Sequence, residues 1–164
     1  MAHPFLIFII DDDKLMQTML QDFVLTKYDG ATVQCFLTGE EAIMELYKKP
    51  DVILLDYHLD TNIASANNGL EILKRIKQLI HSIPVIFITS QEDTKTSADI
   101  IKYGAYDYIV KGENAFNRLE IMINNSTGHI SLQKQLKTQK FFNIFLILLF
   151  VAIVLVFLMQ MIND

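Results

Sequence analysis

Hydrophobic positions along the chain fall into two repeating patterns. Continuous apolar runs rich in β-branched and aromatic residues occur at Phe5 to Ile10, Val52 to Leu55, Pro84 to Ile88 and Tyr106 to Val110, each closed by a turn or polar signal. Short runs without alternation predict strands buried on both faces, the pattern of a parallel sheet. A weaker, alternating run, Ala31 to Leu37, predicts a strand nearer the sheet edge. Between the runs, apolar residues recur at helical spacing: Leu15, Met16, Met19, Leu20, Phe23 and Val24, then Ala42, Ile43, Leu46 and Tyr47, then Leu70, Leu73, Ile76 and Ile80. Two more helices are predicted around Thr94 to Tyr103 and around Ala115 to Asn125. Gly104 stands where a helix C-terminus hands over to a strand.

Such alternation makes a (βα)5 chain, which closes as a doubly wound α/β fold: a five-stranded parallel sheet with right-handed crossovers and the flavodoxin-like order 2-1-3-4-5. In that architecture the functional crevice lies at the carboxyl ends of the strands. The polar residues there are Asp11, Asp12 and Asp13 after strand one, Asp56 after strand three, Thr89 and Ser90 after strand four, and Lys111 after strand five. With strands one and three adjacent, Asp11, Asp12 and Asp56 repel one another unless a cation joins them. A hard divalent ion with oxygen ligands, Mg²⁺, resolves the repulsion. A carboxylate flanked by a metal, a hydroxyl and an ammonium suits acceptance of a phosphoryl group, because each neighbour takes charge from the transferring oxygens.

The segments FIIDDD, VILLDYHLD, PVIFITS and YIVKG, in that order and spacing, resemble the receiver domain of bacterial two-component response regulators, over roughly Pro4 to Asn125. The resemblance implies that Asp56 is the phosphoacceptor, attacking the phosphohistidine of a histidine kinase or phosphotransfer protein. It implies that Asp11 and Asp12 hold Mg²⁺, with Asp12 the more direct ligand, and that the main-chain carbonyl of His58 completes the metal shell together with Asp56. Thr89 corresponds to the hydroxyl that hydrogen-bonds the phosphoryl group, Lys111 to the lysine that pairs with it, and Tyr108 to the aromatic that swings inward when the threonine moves. Together these make a two-state switch biased by phosphorylation.

Two features depart from the family pattern. The loop DYHLDTNIASANNG is longer than usual and lacks proline, and Gly112 follows Lys111 where a cis proline is usual, so a more mobile Lys111 loop is expected. Several residues have simpler readings. Asp13 is placed to cap the first helix, and Ser90 reads as a cap for the fourth. Tyr108 alone would be a packed strand aromatic. His58 and Gln91 flank the site and could tune hydrolysis of a phospho-Asp56, or simply be solvent-facing loop residues. His3, His58, His81 and His129 lack ligand spacing for zinc. Asn124 and Asn125 lie in formal glycosylation sequons, which carry no meaning on a cytosolic face. Phosphatases of the haloacid dehalogenase type also place an aspartate nucleophile after a strand. They carry a second aspartate two residues later, where this chain has His58 and the next aspartate is Asp60.

Composition adds a second part to the chain. The hydrophobic share is 51% and the mean hydropathy is +0.28, both high for a soluble chain. The excess lies in residues 141–162, where 20 of 22 residues are hydrophobic and none is charged. As a helix this segment reaches about 33 Å, enough to cross a hydrocarbon core of about 30 Å. Lys134, Lys137 and Lys140 precede it, and the positive-inside rule puts them and the body in the cytosol. The expected organisation is a receiver domain over 1–125, a basic polar linker over 126–140 and a single-pass transmembrane helix over 141–162. The body Met1 to Ile130 carries −7 within a chain of −5, which argues against nucleic acid as a direct partner. The single cysteine, Cys35, reads as a buried strand thiol in a reducing compartment. No basic start precedes the six apolar residues Phe5 to Ile10, so no secretory signal is read.

The membrane segment stands where response regulators commonly carry an output domain. The sequence therefore reads as a membrane-tethered phosphorylatable switch, not an enzyme beyond its own phosphotransfer and dephosphorylation, that signals to an unknown protein effector. A phosphate-independent scaffold and a phosphate sink without an effector are the alternatives. The intact set of Asp11, Asp12, Asp56, Thr89 and Lys111 disfavours the scaffold.

Overall fold

The computed structural model describes residues 5–59, 68–90, 94–128 and 146. Strands β1 (Leu6–Ile10), β2 (Thr32–Phe36), β3 (Val52–Asp56), β4 (Val85–Thr89) and β5 (Asp107–Val110) form one parallel sheet in the order β2-β1-β3-β4-β5. Helices α1 (Lys14–Lys27), α2 (Gly39–Met44), α3 (Gly69–Leu79) and α4 (Thr94–Lys102) lie between them, and α5 covers 115–128. The order is the one expected from the sequence.

Strand parity explains the two halves of the core. Phe8, Ile10, Ile53, Leu55, Val85 and Phe87 point to one face, where they pack with Ala42 of α2, Ile72, Leu73 and Ile76 of α3, and Ile100 of α4. Their neighbours Ile7, Ile9, Val52, Leu54, Ile86 and Ile88 point to the other, against Leu20 and Val24 of α1 and Leu119, Met122 and Ile123 of α5. Every residue of β1, β3 and β4 is buried, as continuous apolar runs in central strands require. Each fully buried aliphatic or aromatic side chain contributes roughly 1.5–3 kcal/mol relative to exposure.

Several expectations are corrected. The fifth strand, expected to be buried on both faces, has only Ile109 fully buried because it is the last strand of the sheet and has no neighbour beyond it. Cys35, read as a buried thiol, is half-buried because β2 is the other edge. The helix expected through Ala42, Ile43, Leu46 and Tyr47 stops at Met44 and tightens into a 3₁₀ turn, Leu46–Lys48. Lys49 then adopts a left-handed φ of 56° ahead of Pro50, which disfavours α geometry in the residue before it. Strand ends differ from the sequence reading by one residue, and α5 continues past Asn125 to 128. There the Ser126 and Thr127 hydroxyls both donate to the Ile123 carbonyl, at 2.9 Å each. Gly104 hands α4 to β5 as expected, with φ 92° and its N–H donating to Ile101 O.

The chain divides into two compact units, Met1–Thr127 and Gly128–Asp164. Most of the expected linker at 126–140, and all of the apolar segment 141–162 except Leu146, lie outside the described residues. Among the described residues no helix is long and apolar enough to cross a membrane.

Candidate functional site

Register brings the polar residues together. Ile10 pairs with Leu55, so Asp11 and Asp56 follow on adjacent strands; Asp56 pairs with Ile88 and Thr89 with Val110, so Thr89 and Lys111 complete the same sheet edge. Asp11, Asp56 and Thr89 are all buried. Asp12 is half-buried, and one carboxylate oxygen from each of Asp11, Asp12 and Asp56 lies within 4.8 Å of the others. Three hard oxygen donors at that spacing fit a divalent cation such as Mg²⁺, leaving positions for water or phosphate oxygens.

Lys111 bridges the two buried carboxylates. Its Nζ lies 3.3 Å from Asp56 Oδ1 and 3.4 Å from Asp11 Oδ2. The Lys111 N–H also donates to the Thr89 carbonyl at 2.8 Å, so the lysine loop is tied to the strand that carries the threonine. Burial pushes the Asp11 carboxyl up to about 6, with the nearby Asp56 charge adding to the rise. The Asp13 N–H bond to Asp11 Oδ1, at 2.9 Å, and the Lys111 charge pull the other way. Burial beside a second carboxylate thus disfavours the Asp11 anion, a cost that a cation held by the cluster would offset.

Local sequence sets the entry to each helix around the site. Asp13 accepts from Leu15 N–H at 2.8 Å, the capping role expected of it. Asn68 caps α3 by accepting from Glu71 N–H at 3.0 Å. Ser90 is exposed just beyond β4, and the capping role read for it falls on residues 91–93, which lie outside the described residues. Tyr108 is half-buried on the last strand and packs against the α3 and α4 side of the core. His58 is exposed two residues beyond Asp56, its ring 4.9 Å edge-on from that of Tyr57. Gln91, Asp60, His3 and His129 lie outside the described residues.

Sequence reasoning passed over two residues that shape the site. The Gln17 amide nitrogen donates to the Asp11 carbonyl at 2.7 Å and to the Phe36 carbonyl at 2.8 Å. Gly69 lies against the Asp56 carbonyl and Cα of Tyr57, with no room for a side chain. Neither contact has a local signal, since each joins residues remote in the chain or across a loop. An apolar pocket of about 150 Å³ opens beside Lys111 and Gly112, lined by Met16, Met19 and Leu20 of α1 and Phe116 and Leu119 of α5.

Comparison with known proteins agrees with this geometry. The profile of the response regulator receiver domain matches residues 7–124. The transcriptional regulatory protein CrdR of Helicobacter pylori is 36% identical over 106 residues, which cover 64% of this chain and 47% of CrdR. The transcriptional regulatory protein ZraR of Klebsiella oxytoca is 29% identical over 134 residues, 81% of this chain and 28% of ZraR. The chain thus spans less than half the length of these curated relatives. Among solved structures, a response regulator receiver domain protein from Clostridium thermocellum aligns with a TM-score of 0.68 at 24% identity, over 78% of this chain and 98% of that one, a likeness of fold.

Proposed function

The chain belongs to the response regulator receiver family, the phosphoacceptor domains of two-component signalling, and we propose that within it Asp56 is the residue that accepts the phosphoryl group. The observation that carries this reading is the placement of the Lys111 ammonium 3.3 Å from Asp56 and 3.4 Å from Asp11, at a strand edge that also holds Asp12 and Thr89. An Asp56 carboxylate oxygen attacks the phosphorus of a phosphohistidine on a histidine kinase or phosphotransfer protein. The P–O bond to Asp56 forms as the P–N bond breaks, and the leaving imidazole nitrogen takes up a proton.

Mg²⁺, held by Asp11, Asp12, Asp56 and the His58 carbonyl, would supply positive charge between the carboxylates and the phosphoryl oxygens. Lys111 keeps the two buried carboxylates together before transfer and pairs with a phosphoryl oxygen after it. The Thr89 hydroxyl donates to another phosphoryl oxygen. Its movement towards the phosphoryl group leaves half-buried Tyr108 room to turn inward. The switched surface then binds a protein effector. Direct contact with nucleic acid is not part of this reading, in keeping with the net charge of −5.

The apolar segment 141–162, behind Lys134, Lys137 and Lys140, is read as a single-pass membrane anchor that leaves the receiver domain in the cytoplasm. The test of the phosphoacceptor is to incubate the full chain with Mg²⁺ and acetyl phosphate and to look for acid-stable, base-labile label. Label that persists in Asp56→Asn, or no label at all, overturns the assignment. Deleting 141–164 should move the protein from membranes to the soluble fraction, and unchanged fractionation removes the anchor.

A further inference from the structure

We propose that Gln17 is a positioning residue for the divalent-cation site, tying the carbonyl of Asp11 to that of Phe36 and so holding the loop that carries the Asp11 and Asp12 carboxylates. The inference rests on reading the acidic cluster as a cation site. Gln17 is the fourth residue of α1, a helix whose start is set by Asp13, and its own N–H donates to the Asp13 carbonyl at 2.9 Å. From there its side chain reaches back six residues, and Nε2 lies 2.7 Å from Asp11 O and 2.8 Å from Phe36 O. Both partners are carbonyls, which only accept, so the amide nitrogen must face them, and its two hydrogens serve both bonds at once.

The clamp sits where the β1–β2 ladder ends. The last register pair is Ile10 with Phe36, and beyond it the Asp11 N–H reaches the Phe36 carbonyl at a long 3.2 Å. Gln17 reinforces that weak tie from the helix side. Asp11 is thereby held at its N–H by Phe36, at its carbonyl by Gln17 and at Oδ1 by the Asp13 N–H. Oδ2 accepts from Lys111 Nζ at 3.4 Å, so the backbone and both carboxylate oxygens of Asp11 are held in place. Mg²⁺ tolerates little error in ligand placement. Loosening the loop therefore weakens cation binding while leaving the Asp56 nucleophile in place.

The experiment uses the full chain and three variants: Gln17→Leu, which keeps the size and loses both donors, Gln17→Arg, which restores N–H donors, and Asp56→Asn as the phosphotransfer control. Mg²⁺ affinity is measured by calorimetry and labelling by acetyl phosphate is measured across Mg²⁺ concentrations. Gln17→Leu should bind Mg²⁺ about tenfold more weakly, reach the wild-type labelling rate at saturating Mg²⁺, and be at least partly rescued in Gln17→Arg. Equal Mg²⁺ affinity in folded Gln17→Leu and wild type overturns the positioning role, as does a labelling rate that stays low at saturating Mg²⁺. A wild type that binds no Mg²⁺ overturns the underlying reading of the site instead. Should Gln17→Leu not fold, Gln17→Asn takes its place under the same criteria, since its amide is one methylene too short to reach both carbonyls.

Discussion

Gly69 packs directly on the carbonyl oxygen of Asp56, so closely that a methyl group at Gly69 would overlap it. The first residue of α3 is thus pressed against the last residue of β3, and the Gly69 N–H donates to the Tyr57 carbonyl at 3.2 Å. Here glycine serves close approach rather than an unusual backbone angle. The position of Asp56 and the seat of α3 are thus one arrangement.

Gly69→Ala should therefore destabilise the fold by about 1–3 kcal/mol, the range for overpacking against rigid neighbours. Backbone cannot move aside as a side chain could. Gly112→Ala is the matched comparison, because a β-carbon there meets nothing within 4 Å. Urea denaturation of both variants, followed by circular dichroism, should show a loss for the first and a change of under about 0.5 kcal/mol for the second.

The raised Asp11 carboxyl gives a pH dependence of defined sign. Its folded value of about 6 lies above the ordinary 3.8, so the folded state holds the proton more tightly than the unfolded chain. The contribution of Asp11 to stability is then most favourable at low pH and is lost as pH rises between those values. Above pH 6 its ionisation costs the metal-free fold on the order of 3 kcal/mol. Asp11→Asn should be more stable than wild type at pH 7.5 in a chelator, with the difference vanishing towards pH 4. Denaturation midpoints at the two pH values measure it, and a difference that does not shrink on acidification contradicts the assignment. Mg²⁺ affinity of the wild type should also fall by up to tenfold per pH unit below 6, because the ligand must first lose its proton.

Lys111→Met removes the counter-charge shared by two carboxylates that are themselves 2% and 7% exposed. Loss of about 2 kcal/mol is expected at pH 7.5 without metal, less than the roughly 3–5 kcal/mol typical of a broken buried pair, because the lysine keeps 23% exposure. Saturating Mg²⁺ should recover most of that loss by taking over the neutralising role. A variant whose deficit is the same with and without Mg²⁺ would mean that the lysine stabilises the fold by packing instead.

Asp13→Ala tests the division of labour among the three consecutive aspartates. Its carboxylate caps α1 through the Leu15 N–H and is exposed, so the variant should lose about 1 kcal/mol of stability. Mg²⁺ affinity should change by less than about twofold, since the Asp13 contact to Asp11 is made by its main-chain N–H, which alanine retains. Calorimetric titration that instead finds a tenfold loss would place Asp13 among the ligands.

The sequence by itself determined the alternation of strands and helices, the two-sided burial of the central strands and the residues gathered at the sheet edge. It could do so because Phe5 to Ile10, Val52 to Leu55 and Pro84 to Ile88 are apolar at every position, a pattern compatible only with cover on both faces. Asp11, Asp56 and Lys111 each close a strand, so once the strands are parallel they share one end. The Asp13 cap and the Gly104 turn were legible for the same reason, being set by neighbours in the chain. Only the tertiary structure decided which side chains share a charge, how far β5 is buried, and how the site is braced. The Lys111 bridge joins residues from three strands, and the clamp by Gln17 spans the ends of β1 and β2. Gly69 is glycine because of a carbonyl thirteen positions earlier in the chain. Those contacts depend on distances set when helices dock on the sheet, and residue type and local periodicity carry no record of them.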